Sequence, residues 1–326
     1  MIDIGTKRIP LIDAHVHLFP YMDGFKYRNV PTRSGRYGVV YWGDEPRQQF
    51  DPSYTDSSSP AEVYLKIMEL NGVDKAFIPQ TPVYGKHYDY IDGVMKVYPG
   101  KFATVGLAYP CGSKERFLKE AKEALDEHGY PGLKFEMPDT PFRADLPEYS
   151  YIFETLMERN KLIMVDMGWG SGEWDFPFEI IATAVKTYKE LTWVFPHLGV
   201  SRLWDREEHD VRHYEHMKRM FSLTEFNENV WWDMSSVSTS ACQRFEQFPY
   251  PHFAGVMKTV QEEIGFERVM FGTDYPGTTT KVTYAQCIRT VTDYCDFLSE
   301  HDRERLFYQA ADELWFGVKP PEPNTK

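Results

Sequence analysis

Eight short apolar runs, each followed by a longer charged stretch, constrain this chain more than any other feature. They are Pro10–His15, Lys75–Pro79, Phe102–Ala108, Gly132–Phe135, Leu162–Val165, Thr192–Phe195, Val230–Asp233 and Arg268–Phe271. Continuous Val/Ile/Leu/Phe runs fit strands covered on both faces, as parallel sheets are. Between them the spacing predicts helices over Ala61–Leu70, Lys114–His128, Tyr149–Arg159, Pro177–Lys189, Phe253–Ile264 and Tyr284–Ser299. Strand and helix alternate with no linker, which favours an α/β fold closed as a (β/α)8 TIM barrel over an open doubly wound sheet. No Gly-rich phosphate loop follows any run, which counts against dinucleotide binding. The 326 residues suit one such barrel with insertions, so 1–326 reads as a single domain.

Two stretches exceed a normal connection. Residues 18–59, after strand 1, are rich in Tyr, Gly, Pro and Arg without clear periodicity, and a loop that long inside a domain is usually functional. Residues 201–221, after strand 6, are charged and read as a helical insertion. The segment Arg303–Phe316 reads as a closing helix, and residues 318–326 as a frayed tail.

Acidic residues number 49 against 36 basic, a net charge of −13, which argues against nucleic acid or an anionic membrane as partner. No apolar run is long enough to cross a bilayer, and the N-terminus lacks a signal-peptide layout, so the expectation is a cytoplasmic protein. The four cysteines, Cys111, Cys242, Cys287 and Cys295, form no CxxC pair and read as reduced thiols.

The chemistry is expected where barrel strands end, at the C-terminal rim. His15 and His17 end strand 1, and residues two apart on an extended strand share a face, so the imidazoles lie side by side. Lys134 and Glu136 end strand 4, Asp166 strand 5, His197 strand 6 and Asp274 strand 8. Neutral imidazoles from His15 and His17 with a carboxylate from Asp274 can hold one divalent ion and leave positions open for water or substrate. His197, on another strand, is placed to accept or deliver a proton. Asp13 faces away from the His-x-His pair and reads as a brace, while Trp231 and Trp232 read as core. His209, His213 and His216 lie at helical spacing and read as a solvated face more readily than as a second metal site.

Three motifs together, Ile12-Asp13-Ala14-His15-Val16-His17, Phe195-Pro196-His197-Leu198-Gly199 and Phe271-Gly272-Thr273-Asp274-Tyr275-Pro276, resemble the amidohydrolase superfamily. Gly132-Leu133-Lys134 and Asn229-Val230-Trp231-Trp232-Asp233 support the resemblance, which runs from about Ile12 to Gly317. Within the superfamily the chain resembles the branch of aminocarboxymuconate-semialdehyde and resorcylate-type decarboxylases and related metal-dependent hydrolases. The resemblance implies metal ligands at His15, His17 and Asp274 and a catalytic role beside the metal for His197. Zinc or manganese is the expected ion, with iron or magnesium as alternatives. One departure stands out: the branch carries a histidine ligand at the end of strand 5, where this chain has Asp166. Either Asp166 binds the ion and hardens the site, or the metal is weak or lost.

The rim loops suggest the substrate. Tyr21, Phe25, Tyr27, Tyr37, Tyr41 and Trp42 accompany Lys26, Arg28, Arg33 and Arg36, while Trp169 and Trp174 follow strand 5 and Tyr275 follows Asp274. Aromatics with a few cations suit a planar, anionic small molecule, and Lys134, Trp169, Tyr275 and Arg36 are the candidate contacts. A self-packed lid or a subunit interface, as in a homodimer, would use the same aromatics. The expected activity is non-oxidative decarboxylation of an aromatic or unsaturated acid. Hydrolysis of a lactone, amide or ester is the alternative, and an inactive binding barrel the third.

Overall fold

A computed structural model describes residues 1–5, 7–168, 177–199, 211–236 and 247–317 of the chain. Eight parallel strands follow one another around a barrel in chain order. They are β1 (Ile12–Asp13), β2 (Lys75–Pro79), β3 (Phe102–Leu107), β4 (Gly132–Glu136), β5 (Leu162–Asp166), β6 (Trp193–Phe195), β7 (Val230–Asp233) and β8 (Val269–Met270). The seam closes just past the strand ends. Ala14 N–H donates to Phe271 O at 2.8 Å, Asp274 N–H to His15 O at 2.9 Å and His17 N–H to Tyr275 O at 2.7 Å. The strand residues are almost all buried, which is why they read as unbroken apolar runs rather than alternating ones.

Helices pack outside the barrel over Ala61–Asn71, Tyr88–Val97, Lys114–Lys122, Ser150–Met157, Phe178–Thr187, Val211–Phe221, Pro251–Glu263 and Tyr284–Tyr294. The Tyr88–Val97 helix is not among the sequence expectations. Its buried stripe, Tyr88, Ile91 and Val94, is three residues wide and interrupted by Asp89, Asp92 and Gly93. The closing segment is helical from Glu300 to Phe316 and plugs the bottom of the barrel, where Trp315 stacks on Phe77 with ring centroids 3.7 Å apart. Among the described residues no helix is long and apolar enough to cross a membrane. Cys111, Cys287 and Cys295 are free thiols.

The expected loop at 18–59 is instead a folded insertion. Four antiparallel strands, Phe25–Lys26, Val30–Ser34, Val39–Trp42 and Glu45–Gln48, make a meander over the barrel mouth. Tight turns at Gly35, Gly38 and Gly43 separate strands of two to five residues, too short to show a period. Its apolar underside gathers Phe19, Met22, Val40 and Phe50 against Tyr84 in a core of its own. Of the expected insertion after strand 6, the helix Val211–Phe221 is described; residues 201–210 lie outside the described residues, as do Cys242 and the tail 318–326.

Candidate active site at the C-terminal rim

Three side chains from the two seam strands converge first. His15 and His17 extend from β1, and their rings stand edge-on with centroids 5.0 Å apart. Asp274, with φ 61°, follows β8 and turns its carboxylate towards both: Oδ1 lies 3.2 Å from His17 Nε2 and 3.9 Å from His15 Nε2. A left-handed backbone at a non-glycine residue is costly and persists where the surroundings over-determine it. Gly272, between β8 and Asp274, is dictated by this approach. A Cβ there would sit 2.9 Å from Ser235 Cβ and 3.1 Å from His15 Cβ.

The tautomers follow from the partners of the other ring nitrogens. His17 Nδ1 donates to Pro79 O at 3.0 Å, and His15 Nδ1 meets Asp233 Oδ2 at 2.9 Å. His15 Nε2 therefore presents a lone pair towards the Asp274 carboxylate, while His17 Nε2 lies within hydrogen-bond reach of it. His15 Nε2 is buried with no hydrogen-bond partner. Burial first, and then the neighbouring charges of His197, His17 and Lys134, hold His15 well below the usual imidazole range. Burial raises Asp274, but His17, His197 and His15 outweigh it and keep the carboxyl ionised.

His197 is arranged in the opposite way. It follows β6 in a left-handed turn at φ 59°, its backbone N–H donating to Asp233 Oδ1 at 3.1 Å. Its Nδ1 meets Ser235 O and Oγ, each at 2.9 Å, and its Nε2 faces Asp166 Oδ2 at 3.5 Å. An acceptor at Nδ1 and a buried carboxylate facing Nε2 favour the doubly protonated ring. Burial disfavours that charge, but Asp166, then Asp274 and Asp233, push His197 up to about 9. Asp166, from β5, is held down to about 2 against its burial by His197 and Lys134; its Oδ1 accepts Gly168 N–H at 2.8 Å.

Above these groups opens a cavity of about 300 Å³. His17, His197 and Asp274 reach it from the floor, Lys134 and Glu136 from β4, and Lys26, Tyr27, Trp42 and Arg47 from the meander. Lys134, the candidate substrate contact from β4, lines the cavity and pairs with Glu136 at 2.9 Å. Two candidates need correcting. Tyr275 is 1% exposed and does not line the cavity; it turns outward to pack on Tyr64, with centroids 4.9 Å apart, because its chain neighbour Asp274 takes the inward position. Arg36 lies exposed in a turn at the outer end of the meander, away from the cavity lining. Tyr21 and Tyr37 are likewise exposed, and Tyr41 packs under Arg33. Trp169 and Trp174, together with His209 and the side chains of His213 and His216, lie outside the described residues.

Sequence reasoning missed Asp233 and Ser235, which hold His15 and His197 in place. The clue was a carboxylate at a strand end, Trp232-Asp233, matching Asp166 and Asp274 in position. Arg47, Tyr84 and Thr81 in the cavity wall were also missed, since nothing local marks them. Asp13 is the brace expected. Fully buried, its carboxylate accepts from His15 N–H, Thr273 N–H, Thr273 Oγ and Tyr284 OH at 3.1, 3.0, 2.6 and 2.5 Å.

Fold and site together define a (β/α)8 barrel enzyme with a histidine–carboxylate cluster at its catalytic rim. The sequence matches the amidohydrolase family over residues 12–317, and the chain belongs to that family. No curated protein matches it. Among solved structures it is similar to a probable 2-pyrone-4,6-dicarboxylic acid hydrolase from Acinetobacter baumannii with citric acid bound. That likeness has a TM-score of 0.63 at 14% identity and covers 95% of this chain and 100% of the other. An amidohydrolase from Burkholderia multivorans with bound zinc gives 0.65 at 14%, over 94% and 98%. A 5-carboxyvanillate decarboxylase from Novosphingobium aromaticivorans, with manganese and 3-methoxy-4-hydroxy-5-nitrobenzoic acid, gives 0.55 at 17%, over 79% and 81%.

A divalent ion fits the residues present. The potential ligand atoms of His15, His17 and Asp274 lie within 4.8 Å of one another, and the orphaned His15 Nε2 is an atom a metal would satisfy. Each Nδ1 is fixed by an acceptor, the outer contact that orients histidine ligands. A second grouping, His15, His197 and Asp233, is accounted for by hydrogen bonds to Asp233. Asp166 Oδ2 is also buried without a hydrogen bond but lies beside His197, outside both groups.

Proposed function

We propose that this enzyme is a metal-dependent, non-oxidative decarboxylase of a small planar acid, aromatic or unsaturated. One observation carries the reading. The potential ligand atoms of His15, His17 and Asp274 converge at the floor of a cavity lined by His197, whose Nδ1 meets Ser235 and whose Nε2 faces the Asp166 carboxylate, so that it stands as an acid and not a base. His15, His17 and Asp274 would hold the ion. When bound, it supplies Lewis acidity that fixes an acid's carboxylate and adjacent oxygen. Asp166 would then serve as the partner of His197, or as a further ligand through its free Oδ2. His197 gives a proton to the carbon bearing the carboxylate; the carbon–carbon bond breaks, CO2 leaves, and His197 recovers its proton from solvent. Tyr27, Trp42 and Tyr84 offer faces to a flat substrate, and Lys26, Lys134 and Arg47 offer cations.

Hydrolysis of a lactone or ester is the second reading, favoured by Lys134 and His197 lining the same cavity, where two cations would stabilise an oxyanion. Asp274 would then act as base. The deciding experiment incubates zinc- and manganese-loaded protein with 2-hydroxybenzoates and with aryl lactones. Release of CO2 with the decarboxylated arene supports the first reading. Ring opening without CO2 replaces it with the second.

A further inference from the structure

We propose that Lys26, carried by the meander, is a specificity-determining residue that binds an anionic oxygen of the substrate remote from the metal, and that Asp139 is the positioning residue that sets it there. This rests on the reading of the cavity as the site for a planar acid.

Lys26 is the only meander lysine, yet it is 4% exposed while lining the cavity. Removing an ammonium from water costs several kcal/mol unless a partner offsets it. The partner is Asp139, fully buried, whose Oδ2 lies 2.7 Å from Lys26 Nζ. Its Oδ1 accepts the backbone N–H of Tyr27, also at 2.7 Å. One carboxylate therefore grips the meander strand twice, by side chain and by backbone. Asp139 is itself fixed in a tight turn just after β4, where its N–H donates to Glu136 O at 3.0 Å. That turn belongs to the element that supplies Lys134 and Glu136. Catalytic strand and meander are thus joined through one buried pair.

A pair serving only as a latch has no need to face the cavity. Lys26 does face it, with the ring of Trp42 5.5 Å and that of Tyr27 5.7 Å from Nζ, both rings lining the same space. An ammonium keeps three donors, of which Asp139 takes one. The remainder, held beside aromatic faces, suit a carboxylate or phenolate oxygen on a flat ring.

The test uses the metal-loaded protein and two probes, 2-hydroxybenzoate and 2-hydroxybenzene-1,3-dicarboxylate, with affinities measured by calorimetry and meander order by hydrogen exchange over residues 25–48. The parent should bind the diacid tighter by about ten-fold or more, the worth of one hydrogen bond to a charged group. Lys26→Met should abolish that preference, lowering diacid affinity by about ten-fold or more relative to that for 2-hydroxybenzoate. Asp139→Asn should speed exchange over 25–48 by about ten-fold or more, with metal content unchanged. A diacid preference surviving Lys26→Met overturns the specificity role. Unchanged exchange in Asp139→Asn overturns the role given to Asp139. A parent that binds neither probe overturns the planar-acid reading itself, and the Lys26 role with it; the exchange measurement still judges the Asp139 contact separately.

Discussion

At the scale of single residues, the two histidine environments are the informative contrast. His15 is kept neutral and His197 charged within one cluster, their ring centroids 4.8 Å apart. The difference comes from what each Nε2 meets: lone pairs directed at a shared centre for His15, a buried carboxylate for His197. Replacing His197 by Asn should lower kcat by about 10²–10⁴-fold, the usual cost of a lost positioned acid. Metal content by elemental analysis should stay near the parent's. The same residue sets a pH dependence in the metal-stripped protein. Its folded pKa, about 9, lies above the ordinary 6.5. The stabilisation it contributes is therefore complete below about 6.5 and lost as pH rises through about 9. Melting of the stripped protein should decline across that window, and the decline should flatten in His197→Asn. A decline of equal size in the variant would assign it to other groups.

At the scale of elements, the β1–β8 seam decides whether the site exists. Each strand is only two residues long, and Asp13 supplies the cross-strand acceptors that longer ladders would provide. Asp13→Ala orphans four donors in the interior. It should cost about 3 kcal/mol or more by denaturant midpoint, as breaking buried polar networks does. Metal affinity should fall by about 10–100-fold, the usual effect of removing an outer contact. Gly272→Ala is the steric counterpart: a methyl group forced against His15 and Ser235 should weaken metal binding by about ten-fold or more while the barrel still melts cooperatively. Unaltered affinity in Gly272→Ala would mean that His15 can shift freely, contrary to its fixed Nδ1 contact.

For the whole molecule, the ion and the fold are linked. The proposed ligands from β1 and β8 lie far apart in the chain and meet only when the barrel closes, so a divalent ion held by them would bind the folded state alone. At a free-ion concentration about 100 times Kd this contributes about 2.7 kcal/mol. Zinc or manganese should therefore raise the melting temperature by several degrees, and chelation should reverse the gain. Absence of any shift with both ions would remove the metal from the proposed function.

Much of this architecture is written locally. The eight strands appear as apolar runs because parallel barrel strands are buried on both faces, and seven of them, β2 to β8, start and end within one residue of the expected bounds. His15, His17, His197 and Asp274 were identifiable because strand ends are where barrel side chains can face substrate, and a polar residue ending an apolar run is visible without a structure. The meander was not legible: strands of two to five residues show no period, and their pairing depends on Gly turns and on the underlying Phe19–Tyr84 contact. Tyr275 and Arg36 misled because composition reports which residues a loop contains and not which way they point. The local sequence therefore determined the barrel and the residue types at its rim. Tertiary structure alone decided what each ring nitrogen of the histidines meets, that Asp233 and Asp139 hold the site in place, and that Lys26 turns inward. Those properties depend on atoms brought together from distant parts of the chain, to which no local pattern responds.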